Sequence, residues 1–210
     1  MPRLPLSEQE RAQTRARILA AARDLVEKLG VERLSMRAIG AKVGLTASAL
    51  YAYFPAKQDL LRALWQGAID DLDACFRALS AAEPDPLAAL TSLGRAYTAF
   101  ALEDPARFRL LFFTLAPPGA IDDETGVPAQ TRVGYVIVRE RVVEAIERGL
   151  LRSDDPDLLS QILWSALHGV VALINAPTDF PFQPPDLLVE TMLDTVLRGL
   201  VRLPPSGELP

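Results

Sequence analysis

His168 is the only histidine of this 210-residue chain and Cys75 the only cysteine. No zinc site of ordinary ligand type can be assembled from them, and no intrachain disulfide can form. No Ser/His/Asp set stands at motif spacing and no glycine-rich loop is placed to cradle phosphate. Enzymatic chemistry therefore has little to work with, and a distant pairing of His168 with Cys75 is the one combination left open. His168 has another use to offer. Trp164 and His168 are i, i+4 on one helix face, and Gly169 beside them lets another element approach closely. An imidazole in an apolar wall is a polar handle for a ligand; a core histidine bonded to a backbone carbonyl is the plainer reading. Tyr97, Phe100, Phe108, Phe112 and Tyr135 are further candidates for lining such a pocket, each equally able to serve as core.

The charges point to a different chemistry. The net charge is −5, yet residues 1–60 carry ten Lys/Arg against six Asp/Glu, a net of +4, while residues 61–210 carry 12 against 21, a net of −9. A basic head on an acidic body suits a small DNA-binding module attached to a larger domain that avoids DNA.

The elements that position these residues are helices. In residues 35–57, Met36, Ile39 and Val43 form one helical stripe. Gly44 can end that helix in the left-handed conformation, and Thr46 can cap a second. Leu50 and Phe54 fall at i, i+4 on the second helix and face the first, and Pro55 stops it. Two short helices across a tight turn are a helix-turn-helix, which can lay its second helix in the major groove. With Leu50 and Phe54 inward, Thr46, Ala47, Ser48, Ala49 and Ala52 form the outward surface. Alanines can touch only thymine methyls, so Arg37 on the first helix is the best candidate for a guanine contact. Thr14, Arg15 and Arg17 in the helix before the motif, and Arg3 and Arg11, are further basic or polar candidates for phosphate or minor groove.

The residues Leu34, Ile39, Ala41, Val43-Gly44-Leu45, Thr46, Leu50-Tyr51, Tyr53-Phe54-Pro55, Lys57 and Leu60-Leu61, with Ile18, Ala22 and Gly30 upstream, resemble the tetracycline-repressor family of one-component regulators. The resemblance implies phosphate contacts for Tyr51, Tyr53 and Lys57, and donors of those types suit phosphate oxygens. Ala49 departs from the family's pattern, in which Thr or Ser is common. A second resemblance covers FALEDPARFRLLFF (100–113) and WSALHGVVAL (164–173), which look like the regulatory domain of the subgroup named for Trp-His-Gly, here Trp164, His168 and Gly169.

The fold expected is all-α: a three-helix helix-turn-helix domain over 1–55 and a larger helical ligand-binding and dimerisation domain over 56–210, about nine helices in all. They are expected near 8–29, 36–43, 46–54, 56–81, 86–103, 105–115, 129–149, 156–176 and 186–202, with a loose arm over 1–7 and loops at 116–130 and 175–186. Ile18, Ala22, Leu25, Val26 and Leu29 are the expected buried stripe of the first. The last two helices carry more apolar surface than one chain can cover. Leu159, Leu163, Leu167 and Val171 with Leu188, Met192, Leu193, Val196 and Leu200 are the expected seam of a homodimer, closed as a four-helix bundle.

Apolar runs such as LLFFTLA are too short to span a bilayer, and the N-terminus has no signal-peptide core. A cytoplasmic protein with no membrane partner and no cofactor is expected. Its expected partners are a double-stranded DNA operator, a second copy of itself and a small apolar or amphipathic ligand. The leading function is a ligand-responsive repressor; a constitutive DNA-binding dimer or an activator without a ligand is the second reading.

Overall fold

The computed structural model describes residues 7–113, 134–176 and 179–202. Among them are nine α-helices and no strand: α1 (Glu8–Leu29), α2 (Met36–Val43), α3 (Ala47–Tyr51), α4 (Lys57–Ala82), α5 (Pro86–Glu103), α6 (Pro105–Phe112), α7 (Tyr135–Glu147), α8 (Pro156–Ile174) and α9 (Pro185–Leu200). The expected loop at 116–130, Arg3 and most of the N-terminal arm lie outside the described residues.

Local chemistry sets the ends of these helices. Ser7 opens α1 with a reciprocal capping box: its hydroxyl accepts from the Glu10 N–H at 3.2 Å, and the Glu10 carboxylate accepts from the Ser7 N–H at 2.8 Å. Ser35 caps α2 and Thr46 caps α3. Asp104 and Asp155 cap α6 and α8, each followed by a proline in the first turn, where the missing N–H costs nothing. α3 is shorter than expected, ending at Tyr51 rather than at Phe54. Pro55 disfavours a helical Phe54, so the chain closes early: the N–H groups of Tyr53 and Phe54 both donate to the Leu50 carbonyl, at 2.9 and 3.0 Å.

The chain forms two compact units, Met1–Ile69 with Asp104–Pro128, and Asp70–Glu103 with Ala129–Pro210. Contacts divide the chain within α4, between Ile69 and Asp70, and give α6 to the N-terminal unit. In that unit Val26 of α1, Leu64 and Ala68 of α4, and Ala106 and Leu110 of α6 line one cavity of about 20 Å³. Its core holds Ile18, Ala22, Ile39, Leu50, Phe54, Leu60, Trp65 and Phe108. Leu25 is half-buried and Leu29 exposed, so the buried stripe of α1 stops at Val26 and takes in Ala21.

In the second unit α5, α7, α8 and α9 share a core of Leu90, Val142, Ala145, Leu151, Leu159, Leu163 and Leu200. The chain after α9 is tied back beside Leu151: the Arg152 N–H donates to the Leu200 carbonyl at 3.0 Å, and the Arg202 N–H to the Leu150 carbonyl at 2.8 Å. One described helix, α8, is long and apolar enough to cross a membrane by length and composition. Short runs such as LLFFTLA did not suggest one. Leu159 and Leu163 lie in this core, while Leu158, Ile162, Trp164 and Leu173 are exposed.

Candidate nucleic-acid interface

The turn of the helix-turn-helix is built on two glycines. Gly44 has φ +72°, the left-handed conformation that closes α2. Gly40 is demanded by space. A Cβ there would sit 2.6 Å from the Leu45 carbonyl oxygen and 3.0 Å from Leu50 Cδ1. The Gly40 carbonyl accepts from the Leu45 N–H at 2.9 Å. The Thr46 hydroxyl accepts from the Ala49 N–H at 3.2 Å and lies 3.1 Å from the Ser48 hydroxyl, which fixes both at the start of α3.

Leu50 and Phe54 are fully buried. Thr46, Ala47, Ser48 and Ala52 are exposed, Ala49 is half-buried, and Tyr51 stands at the edge, 49% exposed, with Tyr53 half-buried. Arg37 is exposed on α2 and has no hydrogen-bond or ion-pair partner among the described residues. Lys57 opens α4 half-buried, its ammonium donating to the Val31 carbonyl at 3.4 Å. Lys42 and Lys28 both reach Asp24, at 2.5 and 2.8 Å, and hold its carboxyl below the usual range.

Thr14 is half-buried on α1 and Arg11 exposed. Arg15 and Arg17 of α1 are engaged within the unit. Arg15 donates to the Tyr53 carbonyl at 3.1 Å, with its guanidinium 4.1 Å from the centroid of the Phe54 ring. Arg17 donates to the carbonyl of Val43, the last residue of α2, at 3.3 Å.

The second unit gathers only part of the expected pocket. The Tyr97 hydroxyl lies 2.6 Å from His168 Nδ1, and the Trp164 ring stands 5.7 Å from the imidazole. A neutral imidazole can accept the Tyr97 hydrogen at Nδ1 or donate an Nδ1–H to the Tyr97 oxygen. Burial holds the Tyr97 hydroxyl protonated, far above its ordinary pKa, and pushes the His168 imidazole down toward its neutral form. Phe100 is buried one turn along α5. The other candidates lie elsewhere. The Tyr135 hydroxyl donates to Asp157, which also pairs with Arg139 at the surface. Phe108 and Phe112 belong to the N-terminal unit and pack on each other at 5.0 Å.

The expected seam needs correcting. Leu159, Leu163, Leu167, Val171, Leu193 and Leu200 are all buried within their own unit. α5 occupies the face expected for a partner: a Cβ on Gly94 would sit 2.6 Å from Leu193 Cδ2 and 3.3 Å from Leu167 Cδ1. Leu188, Met192 and Val196 are half-buried. The large apolar residues that α8 leaves open are Trp164 and, in line with Ser165 and Gly169, Leu158, Ile162 and Leu173. Among the described residues, a Cβ on Gly169 would meet nothing within 4 Å.

Two family profiles match the chain. The one described as bacterial regulatory proteins, tetR family, covers residues 18–64, the helix-turn-helix and its flanks. The one described as tetracyclin repressor-like, C-terminal domain, covers residues 90–196. The chain belongs to the TetR family. An HTH-type transcriptional regulator of Mycobacterium tuberculosis (strain ATCC 25618 / H37Rv) is 32% identical over 172 residues, 80% of this chain and 72% of that protein. Among solved structures, a protein of unknown function from Rhodococcus sp. RHA1 is 26% identical with a TM-score of 0.77, over 96% of this chain and 100% of that one. A TetR/AcrR-family transcriptional regulator from Thermobifida fusca is 25% identical with a TM-score of 0.70, over 89% and 98%. TetR-family regulators bind DNA operators and act as dimers.

Sequence reasoning passed over Gly40 of this TetR head and the partners that hold Arg15 and Arg17. The space requirement at Gly40 depends on where Leu45 and Leu50 return, which no spacing rule gives. The engagement of Arg15 and Arg17 depends on how α1 crosses α2 and α3. The signal available was their position, two apart on the helix that packs on the motif.

Proposed function

We propose that the protein is a DNA-binding transcriptional repressor released from its operator by a small apolar or amphipathic molecule. The observation that carries the reading is the outward face of α3, polar and alanine side chains over a buried Leu50 and Phe54, on a head matched by the tetR-family profile. Tyr51, Tyr53 and Lys57 hold the phosphates on either side of the groove, and Arg37 reads one guanine. Thr46, Ala47, Ser48, Ala49 and Ala52 form the close surface, and Thr14 adds a backbone contact. The alanines meet thymine methyls. A two-fold dimer sets two such helices about 34–36 Å apart, one DNA turn.

The seam of that dimer runs along Leu158, Ile162, Ser165, Gly169 and Leu173 of α8, with Leu188 and Met192 of α9. Gly169, left open in the monomer, allows the partner's helix to come close. The ligand sits against Trp164, Tyr97 and His168, with Phe100 behind them. The chain has the Trp-His-Gly arrangement in Trp164, His168 and Gly169, which supports the subgroup of that name. A ligand that prefers one arrangement of the dimer changes DNA affinity by its differential affinity for the two arrangements. α4 contributes residues to both units and is one of the covalent paths between them. A regulator acting on the chromosome works in the cytoplasm.

The test of the reading is titration of the protein against operator DNA with and without candidate ligands. Release of bound DNA by an apolar ligand, lost in Tyr97→Ala or Trp164→Ala, is the expected result. Binding that no ligand changes favours the constitutive reading.

A further inference from the structure

We propose that Arg15 is a positioning residue for DNA binding: it acts through the Tyr53 carbonyl and the Phe54 ring to fix how the chain leaves α3, and with it the phenols of Tyr51 and Tyr53. The inference rests on the reading that those phenols meet phosphates.

The exit from α3 has few anchors. α3 ends at Tyr51, and the last backbone bonds from this stretch back into the helix are those of the Tyr53 and Phe54 N–H groups to Leu50. Pro55 has no N–H to add. Chain order resumes only at Ala56, whose N–H donates to Asp59 at 3.0 Å. Between these points the Tyr53 carbonyl is held by Arg15 Nη1, 3.1 Å away. The same guanidinium lies 4.1 Å from the centre of the Phe54 ring, within the range of a cation–π contact. A planar fork can do both at once, donating in its plane while lying against a ring. Phe54 is fully buried and cannot shift, so it gives the arginine a rigid seat.

Arg17 repeats the arrangement at α2. Its Nη2 donates to the Val43 carbonyl at the end of that helix, 3.3 Å away. A cation there meets the negative end of the helix dipole. One helix thus sends one guanidinium to the exit of each member of the motif. At Arg15 the consequence is functional, because the held carbonyl belongs to a residue whose own side chain faces phosphate in the proposed complex. A direct salt contact of Arg15 with DNA is the competing role.

The experiment compares wild type, Arg15→Ala, Tyr51→Phe/Tyr53→Phe and the triple variant on one selected operator across a salt series. The expected result is a loss of about tenfold for Arg15→Ala, or about 1.4 kcal/mol, with an unchanged slope of log affinity against log salt. In the phenylalanine background the same substitution is expected to cost less than about twofold, because the groups it positions are gone. Arg15→Lys, which keeps the charge but not the plane, is expected to lose affinity as Arg15→Ala does. It carries the same cycle if the alanine variant melts early. Three results would overturn the proposal: a slope reduced by about 0.9, a loss that persists in the phenylalanine background, or full affinity with lysine. Failure of the underlying reading has its own signature, wild-type affinity of both the tyrosine variant and Lys57→Ala, and it overturns the proposal as well.

Discussion

The hydroxyl of Tyr97 on α5 lies 2.6 Å from Nδ1 of His168 on α8, joining two helices through a neutral hydrogen bond. Burial lowers the imidazole pKa from its ordinary 6.5. The unfolded chain therefore takes up a proton first as pH falls, and the folded chain resists it. The contribution of this pair is fully present above about pH 6.5 and is lost as pH falls from there toward the lowered folded value, then levels off. Thermal melts between pH 8 and pH 5 check this. His168→Asn, whose side-chain oxygen can accept from Tyr97, is expected to flatten that part of the profile. An unchanged profile would assign the pH dependence to other groups. Tyr97→Phe leaves Nδ1 without its partner and is expected to cost about 1–3 kcal/mol.

Gly40→Ala is expected to destabilise the N-terminal unit by about 1–3 kcal/mol, because the added methyl meets the Leu45 carbonyl, and backbone has to move to admit it. The motif itself is displaced, so DNA affinity should fall further than stability does. Denaturant melts and operator titration of the same variant separate the two. A variant with wild-type stability and affinity would show that the turn has room.

Ile162→Asp is expected to yield folded monomers in sedimentation. Ile162 is open on α8 and in line with Gly169, so a charge there costs the monomer little and the seam much. Leu163→Asp, one residue on, buries a carboxylate in the core of Leu90, Val142 and Leu159 and should unfold the unit instead. A folded Ile162→Asp dimer would move the seam away from α8.

How much of this was legible in the sequence differs by element. Capping residues and prolines act within a few residues of themselves, which is why Glu8–Leu29, Pro86–Glu103 and Pro105 could be placed from local signals. The inward facing of Leu50 and Phe54 followed from spacing, although Phe54 reaches its place beyond the end of α3. Hydrophobic spacing says that Leu159, Leu163 and Leu167 need cover, but not what supplies it: Leu90, Val142, Ala145 and Leu200 share the core of Leu159 and Leu163, and Leu167 lies beside Gly94 of α5. The distribution of the pocket candidates was not legible either: Phe108 and Tyr97 are close in sequence, yet the chain crosses between the two units at residues 103–104.

Lys57→Ala is expected to weaken specific and non-specific DNA about equally and to lower the slope of log affinity against log salt by about 0.9, one phosphate's share. Tyr51→Phe removes a neutral donor and should weaken both while leaving the slope alone. An unchanged slope in Lys57→Ala would confine that ammonium to its bond with the Val31 carbonyl.

The central claim is that this chain reads DNA as a two-fold dimer through α3. Selection of bound fragments from a random DNA pool tests it most directly. The account predicts enrichment of two inverted half-sites centred about one helical turn apart, with affinity that falls as salt rises and enrichment that disappears in Gly40→Ala. Recovery of no common sequence, or of a single half-site without its inverted copy, would contradict it.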